Sequence, residues 1–163
     1  MSVLLAEARY MILTDENLAF NLSEWRNQNK CIVFTNGCFD LIHKGHEDLL
    51  NQAKAYGDIL LVGLNSDQSV KRLKGTERPI QNEVERSNNL FKLDSVDGII
   101  IFNEDTPTQL IAEIKPDVLV KGGDYTIDSI IGAREVIAAG GIVKTVPLTP
   151  GYSTSNTIEK MNR

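Results

Sequence analysis

A short apolar run with β-branched members, Lys30-Cys31-Ile32-Val33-Phe34-Thr35, breaks into Asn36-Gly37 and Cys38-Phe39-Asp40-Leu41-Ile42-His43-Lys44-Gly45-His46. A helical pattern then starts at Leu49, Leu50, Ala53 and Tyr56. No other stretch restricts the fold as much. The run has the look of a strand buried on both faces, as in parallel sheets. A helix that opens beside the carboxyl end of such a strand presents unpaired N–H groups and the positive end of its dipole, which suits an anion. Gly37 allows tight backbone approach, and Gly45 removes a side chain between His43 and His46, the only histidines of the chain. Three positions apart, they reach the same side of the helix start and can donate imidazole N–H groups to phosphate oxygens.

Two other uses of the histidine pair compete with phosphate binding. A metal site needs three or four ligands, and Cys38 and Asp40 stand in no spacing that structural zinc motifs use. Histidines that only cap and pack would explain neither Gly45 nor Asn36-Gly37. Phosphate binding accounts for all of them, and no direct metal ligand is assigned.

The charge of the chain narrows what the loop can serve. A net charge of −5 and a pI near 5.1 argue against a general nucleic-acid or membrane-surface binder, so any bound anion needs a local basic site. Lys71, Arg72, Lys74 and Arg78 place four of the 17 basic residues within eight positions around Gly75. The alternatives are a solvated loop and a mobile basic flap over a polyphosphate, and the need for positive charge favours the flap. The 163 residues, 42% hydrophobic, suffice for one domain with a sizeable core. Residues 16–163 are assigned to it, and residues 1–15, which show no clear period, to an N-terminal extension. Two cysteines, Cys31 and Cys38, fit a reducing compartment. No secretory leader pattern is visible, and no apolar run approaches the ~20 residues of a membrane span, so a cytoplasmic location is expected.

Helical spacing of Leu18, Leu22 and Trp25 predicts a helix over 16–29. Ile59 to Gly63 reads as a second strand delivering Asn65-Ser66-Asp67 at its carboxyl end. A helix over 83–96 would turn Val84, Leu90 and Phe91 inward and carries Arg86. Gly98 to Phe102 is a third strand, and Thr106-Pro107-Thr108-Gln109 a capping-box helix start with Thr106 as the cap. Val118 to Val120 is a fourth strand, residues 129–139 a helix closed by Gly140-Gly141, and Ile142 to Val146 a fifth strand. Alternating strands and helices with short connections give an α/β fold: a Rossmann-like doubly wound parallel sheet of about five strands flanked by helices, with a mononucleotide site at its carboxyl edge. At the end of the fourth strand, Gly122 and Gly123 would let a base or ribose lie on bare backbone and Asp124 would accept from it, although a plain turn uses the same glycines. Ser153, Thr154 and Ser155 precede a short final helix and would cap it or bind phosphate.

His43-Lys44-Gly45-His46 resembles the HxGH signature of nucleotidyltransferases of the cytidylyltransferase-like superfamily. Thr35-Asn36-Gly37-Cys38-Phe39-Asp40, Gly57-Asp58, Asn65-Ser66-Asp67, Lys71-Arg72-Leu73-Lys74-Gly75, Arg78-Pro79, Lys115-Pro116-Asp117, Lys121-Gly122-Gly123-Asp124-Tyr125 and Gly151-Tyr152-Ser153-Thr154-Ser155-Asn156 extend the likeness. In that order they are similar to the adenylyltransferase half of bacterial ADP-heptose synthases. The resemblance implies transfer of AMP from ATP to D-glycero-β-D-manno-heptose 1-phosphate for lipopolysaccharide or a related glycan. Mg²⁺ would bridge phosphate oxygens, and the enzyme would be a homodimer. Its partners would be a nucleoside triphosphate and a sugar phosphate, with no nucleic acid and no membrane.

By the same resemblance His43 and His46 are catalytic, with Lys44 as helper. Thr35, Asn36, Gly37, Phe39, Gly45, Lys121, Gly122, Gly123, Asp124, Ser153, Thr154 and Ser155 would meet the nucleotide. Asp40, Asn65, Asp67, Lys71, Arg72, Lys74 and Arg86 would serve the phosphates or the sugar. A chain of 163 residues leaves no room for the sugar kinase domain that often accompanies this activity, so a separate kinase is expected to supply the substrate. Leu148 stands where glycerol-phosphate cytidylyltransferases carry an arginine, which weakens a cytidylyl reading. Transfer to another phosphate ester with CTP or GTP, a nucleotide-binding module without catalysis, and recruitment of partners through the N-terminal extension stay open.

Overall fold

A computed structural model describes residues 11–123 and 125–151. Six parallel strands form its sheet: β1 (Met11–Leu13), β2 (Ile32–Gly37), β3 (Ile59–Asn65), β4 (Gly98–Phe102), β5 (Val118–Gly122) and β6 (Ile142–Val146), in the order β1-β4-β3-β2-β5-β6. Successive side chains of a strand point to opposite faces, and both faces are covered. Ile32 and Phe34 pack on one side with α1 (Asp15–Asn27), α5 (Thr108–Ile114) and α6 (Ala133–Ala138). Val33 packs on the other with α2 (Lys44–Ala55) and α4 (Glu83–Phe91). A further helix, α3 (Asp67–Lys74), follows β3 directly.

From β2 the chain builds outward through β3 to β4, and then returns to lay β5 and β6 on the opposite side of β2. The crevice between the carboxyl ends of β2 and β5 is therefore a topological switch point, where open α/β sheets bind ligands. At the opposite edge, carboxylates of Asp58, Asp97 and Asp117 accept from the backbone N–H groups of Cys31, Leu60 and Ile32, each at 2.8 Å. These three satisfy strand ends that would otherwise lack partners.

Four expectations change. The sheet takes in Met11–Leu13, inside the stretch assigned to an extension: it pairs with Gly98–Ile100 of β4, and Leu13 is buried. Three residues are too few to show a period. The α5 helix starts one residue late, with Pro107 at the cap and no side-chain cap bond, because the Thr106 hydroxyl pairs with that of Thr108 at 3.0 Å. Residues 129–139 split into a single 3₁₀ turn at Ile127–Ser129 and the six-residue α6, separated by Gly132 at φ 85°. Val84 points outward, 64% exposed, and α4 ends at Phe91. Its buried stripe is Arg86, Ser87 and Leu90.

Candidate active site

The α2 helix begins with two histidines that cap it reciprocally. His43 is the N-cap, and its Nδ1 accepts from the backbone N–H of Gly45 at 3.1 Å. His46 Nδ1 in turn accepts from the backbone N–H of His43 at 3.2 Å. The rings stack with centroids 3.9 Å apart and an interplanar angle of 21°, and Phe39 closes on His46 at 5.4 Å. In each bond the backbone is the donor, so Nδ1 carries no proton and the neutral ring bears its hydrogen on Nε2. Burial lowers both histidines, and for His46 the charge of His43 adds to it, bringing it down to about 4. Both are neutral N–H donors at pH 7. Capping and donation are thus not alternatives, since one ring nitrogen does each.

Both histidines line a cleft of about 710 Å³ at the switch point. Asn36, Gly37, Phe39, Asp40, Gly45, Asn65, Lys74 and Lys121 of the expected residues also reach it. Burial lowers the Lys121 ammonium, and nearby Lys74 adds to the effect. Burial raises the Cys38 thiol of the cleft wall, against the opposing pull of Lys74, Arg86 and Arg78, so Cys38 is protonated at pH 7. Tyr125, Ile130, Ile131 and Leu148 add apolar surface to the cleft wall.

Other expected residues stand elsewhere. Lys44 turns to Asp48 on its own helix at 3.2 Å, with the side chain 60% exposed. Thr35 is buried in the sheet, and among the described residues its hydroxyl has no hydrogen-bond partner. Lys71, Arg72 and Lys74 are not in a flap but in the last turn of α3. Arg72 is not among the residues of the cleft wall and pairs with Asp105 at 2.8 Å and with the carbonyl of Asn103. Gly122 faces the Leu49 side chain, where a Cβ would come within 3.2 Å, and Gly123 adopts φ 115° under the ring of Tyr125. Packing thus accounts for the two glycines. Asp124, Ser153, Thr154 and Ser155 lie outside the described residues.

Two charged residues expected at the substrate are internal struts. Arg86 is fully buried, and every guanidinium nitrogen is used: Nε on Gln81 O at 3.0 Å, one terminal nitrogen on Cys38 O at 2.8 Å and Asn65 O at 2.7 Å, the other on Asp67 at 2.8 Å. It ties the ends of β2 and β3 to the segment before α4, and it occupies Asp67. Asp40 is 1% exposed and sits between Phe39 and Leu41, both left-handed at φ 48° and 58°. Its carboxylate accepts from Arg78 Nε at 3.0 Å, Ile80 N at 2.8 Å and Gln81 N at 3.0 Å. Backbone in that region is costly for non-glycine residues and persists where the surroundings fix it.

Sequence reasoning counted Arg78 with the basic cluster around Gly75 without giving it a contact of its own, and left Tyr125 out of the site. Both lay in quoted motifs, but only the folded chain shows them in the cleft wall. Among the described residues no group of three or more histidines, cysteines or carboxylates could hold a metal ion, and Asp40 is fully engaged. Among the described residues, no helix is long and apolar enough to cross a membrane.

Residues 34–160 match the cytidylyltransferase-like family. The chain is 49% identical over 159 residues to the bifunctional protein HldE of Koribacter versatilis, covering 98% of this chain and 32% of that protein. It is 54% identical over 141 residues to the bifunctional protein HldE of Paramagnetospirillum magneticum, covering 86% and 29%. The chain thus spans about a third of the length of the curated relatives it matches. Among solved structures it resembles the lipopolysaccharide core biosynthesis protein from Thermoplasma volcanium, with a TM-score of 0.59 and 28% identity over 74% of this chain and 97% of that one.

Proposed function

The chain belongs to the cytidylyltransferase-like family and is a nucleotidyltransferase, and we propose that it transfers AMP from ATP to D-glycero-β-D-manno-heptose 1-phosphate. ADP-heptose and pyrophosphate are the products. The observation that carries this reading is the stacked histidine pair at the N-terminus of α2, whose Nδ1 atoms both accept from backbone amides and whose two residues both line the cleft. The ordered motifs similar to ADP-heptose synthases, and relatives named bifunctional protein HldE, support the choice of acceptor.

A sugar 1-phosphate is already an anionic nucleophile at neutral pH, so no general base is required. One of its phosphate oxygens attacks the α-phosphorus of ATP, the new O–P bond forms, and the bond from the α-phosphorus to the bridging oxygen breaks to release pyrophosphate. His43, His46 and the N-terminus of α2 supply N–H groups where negative charge grows during this displacement. Magnesium enters with the triphosphate as part of the substrate. We further infer a homodimer, tested by sedimentation, in the cytoplasm.

The test is pyrophosphate release from heptose 1-phosphate with each of ATP, GTP and CTP, beside His46→Ala. Release with ATP alone, reduced on the order of a hundredfold or more in the variant, is the expected result. Turnover with GTP or CTP instead would replace the base, and unchanged turnover in His46→Ala would sink the role of the histidine.

A further inference from the structure

Three arginines lie near the cleft, and their hydrogen bonds separate their functions. Arg86 has every guanidinium nitrogen engaged inside the protein, and Arg72 has turned to Asp105 and Asn103. Arg78 differs from both. It lines the cleft with its side chain 17% exposed, and among the described residues its only guanidinium hydrogen bond is from Nε to Asp40. Among the described residues none accepts from its two terminal nitrogens, which carry the remaining donors of a planar fork. The carboxylate that fixes the fork has no exposed side-chain surface, and the same oxygens hold the N–H groups of Ile80 and Gln81 just beyond Arg78. Lys74 and Lys121 share the cleft, so with Arg78 its wall carries three cationic side chains against the carboxylates of Asp40 and Asp105.

We propose that Arg78 binds the phosphate of the acceptor, and that Asp40 is its positioning residue. A guanidinium held by one edge offers the other as a two-pronged donor, which matches two oxygens of a phosphate monoester dianion better than a lysine point charge does. The donor nucleotide's phosphates are left to the histidine pair and the start of α2. A neutral sugar lacks what this fork recognises, so the acceptor class is a phosphate monoester. This assignment rests on the nucleotidyl-transfer reading above.

The experiment is titration calorimetry of the full chain with inorganic phosphate and, separately, with ADP. It compares the wild type, Arg78→Ala, Arg78→Lys, Asp40→Asn, and Asp40→Asn with Arg78→Ala, with acceptor KM and kcat from the transfer assay. Phosphate affinity is expected to fall by about tenfold or more in Arg78→Ala and less in Arg78→Lys, while ADP binds within about twofold throughout. Asp40→Asn is expected to raise the acceptor KM with kcat largely kept, and to add nothing once Arg78 is alanine. Arg78→Lys keeps the test open should Asp40→Asn not fold. Unchanged phosphate affinity in Arg78→Ala overturns the proposal, as does loss of ADP affinity in its place. An Asp40→Asn effect that persists without Arg78 overturns the positioning role. Phosphate binding that depends on Arg78 in a protein that neither binds ADP nor turns over any sugar phosphate would refute the transferase reading and leave the phosphate site standing.

Discussion

Replacing Arg86 by methionine keeps the length of the side chain and removes every donor. The carbonyls of Cys38 and Asn65, which accept from Arg86 at 2.8 and 2.7 Å, would face a thioether, and Gln81 O would lose its 3.0 Å partner. Asp67 is 32% exposed and can rehydrate, so its share of the cost is small. Each orphaned carbonyl costs about 1–3 kcal/mol. Against this stand the relief of an arginine 0% exposed and the apolar burial of methionine, about 1.5–3 kcal/mol. Three orphaned carbonyls less the methionine burial leave a net loss of about 2–6 kcal/mol. Urea denaturation at pH 7.5 measures it. Because Cys38 and Asn65 line the cleft, turnover of the folded fraction should fall as well. A loss below about 1 kcal/mol would refute the assignment of Arg86 as the strut joining β2, β3 and α4.

Acid is expected to weaken the fold through the histidine pair. Burial, with the charge of His43 adding to it, holds His46 at about 4 against an ordinary 6.5, so between these values the unfolded chain takes up a proton that the folded chain refuses. Stability from this group is complete above about pH 6.5 and is lost as pH falls towards 4, by on the order of 3 kcal/mol. His46→Asn keeps an acceptor for the His43 N–H without titrating, and its stability should vary less with pH; parallel curves would contradict the account. Gly57→Ala would press a Cβ to 2.9 Å from the carbonyl oxygen of Cys31 and 2.6 Å from a Val33 methyl, lowering stability by about 1–3 kcal/mol in thermal or urea unfolding. Lys44→Ala should leave turnover within about threefold, since its ion pair with Asp48 is exposed and outside the cleft. A hundredfold loss would return Lys44 to the chemistry.

The strand from Ile32 to Phe34, the helix from Lys44 and the histidine spacing between them were legible because each is a local pattern. Apolar period, β-branching and a loop with glycines need no knowledge of distant residues. The same locality explains the errors. A three-residue edge strand has no period to read, and a charge run around Gly75 cannot announce that Arg72 will meet Asp105, 33 positions later. Gly57-Asp58 and Lys115-Pro116-Asp117 belong to the resemblance but not to the cleft wall: their aspartates close strand ends at the opposite edge of the sheet.

Sequence alone determined the parallel α/β architecture and the histidine-bearing helix start beside β2, because periodicity and backbone chemistry act over a few residues. Which charges reach the cleft was decided by tertiary structure. Asp40, Arg78 and Arg86 are all charged residues in quoted motifs or on a predicted helix. Only the packing of the segment before α4 against the ends of β2 and β3 buries Arg86 with every guanidinium nitrogen engaged, and sets Asp40 against Arg78 in the cleft wall. Hydrogen-bond partners 38 and 48 positions apart are a property of the fold, and no local pattern encodes them.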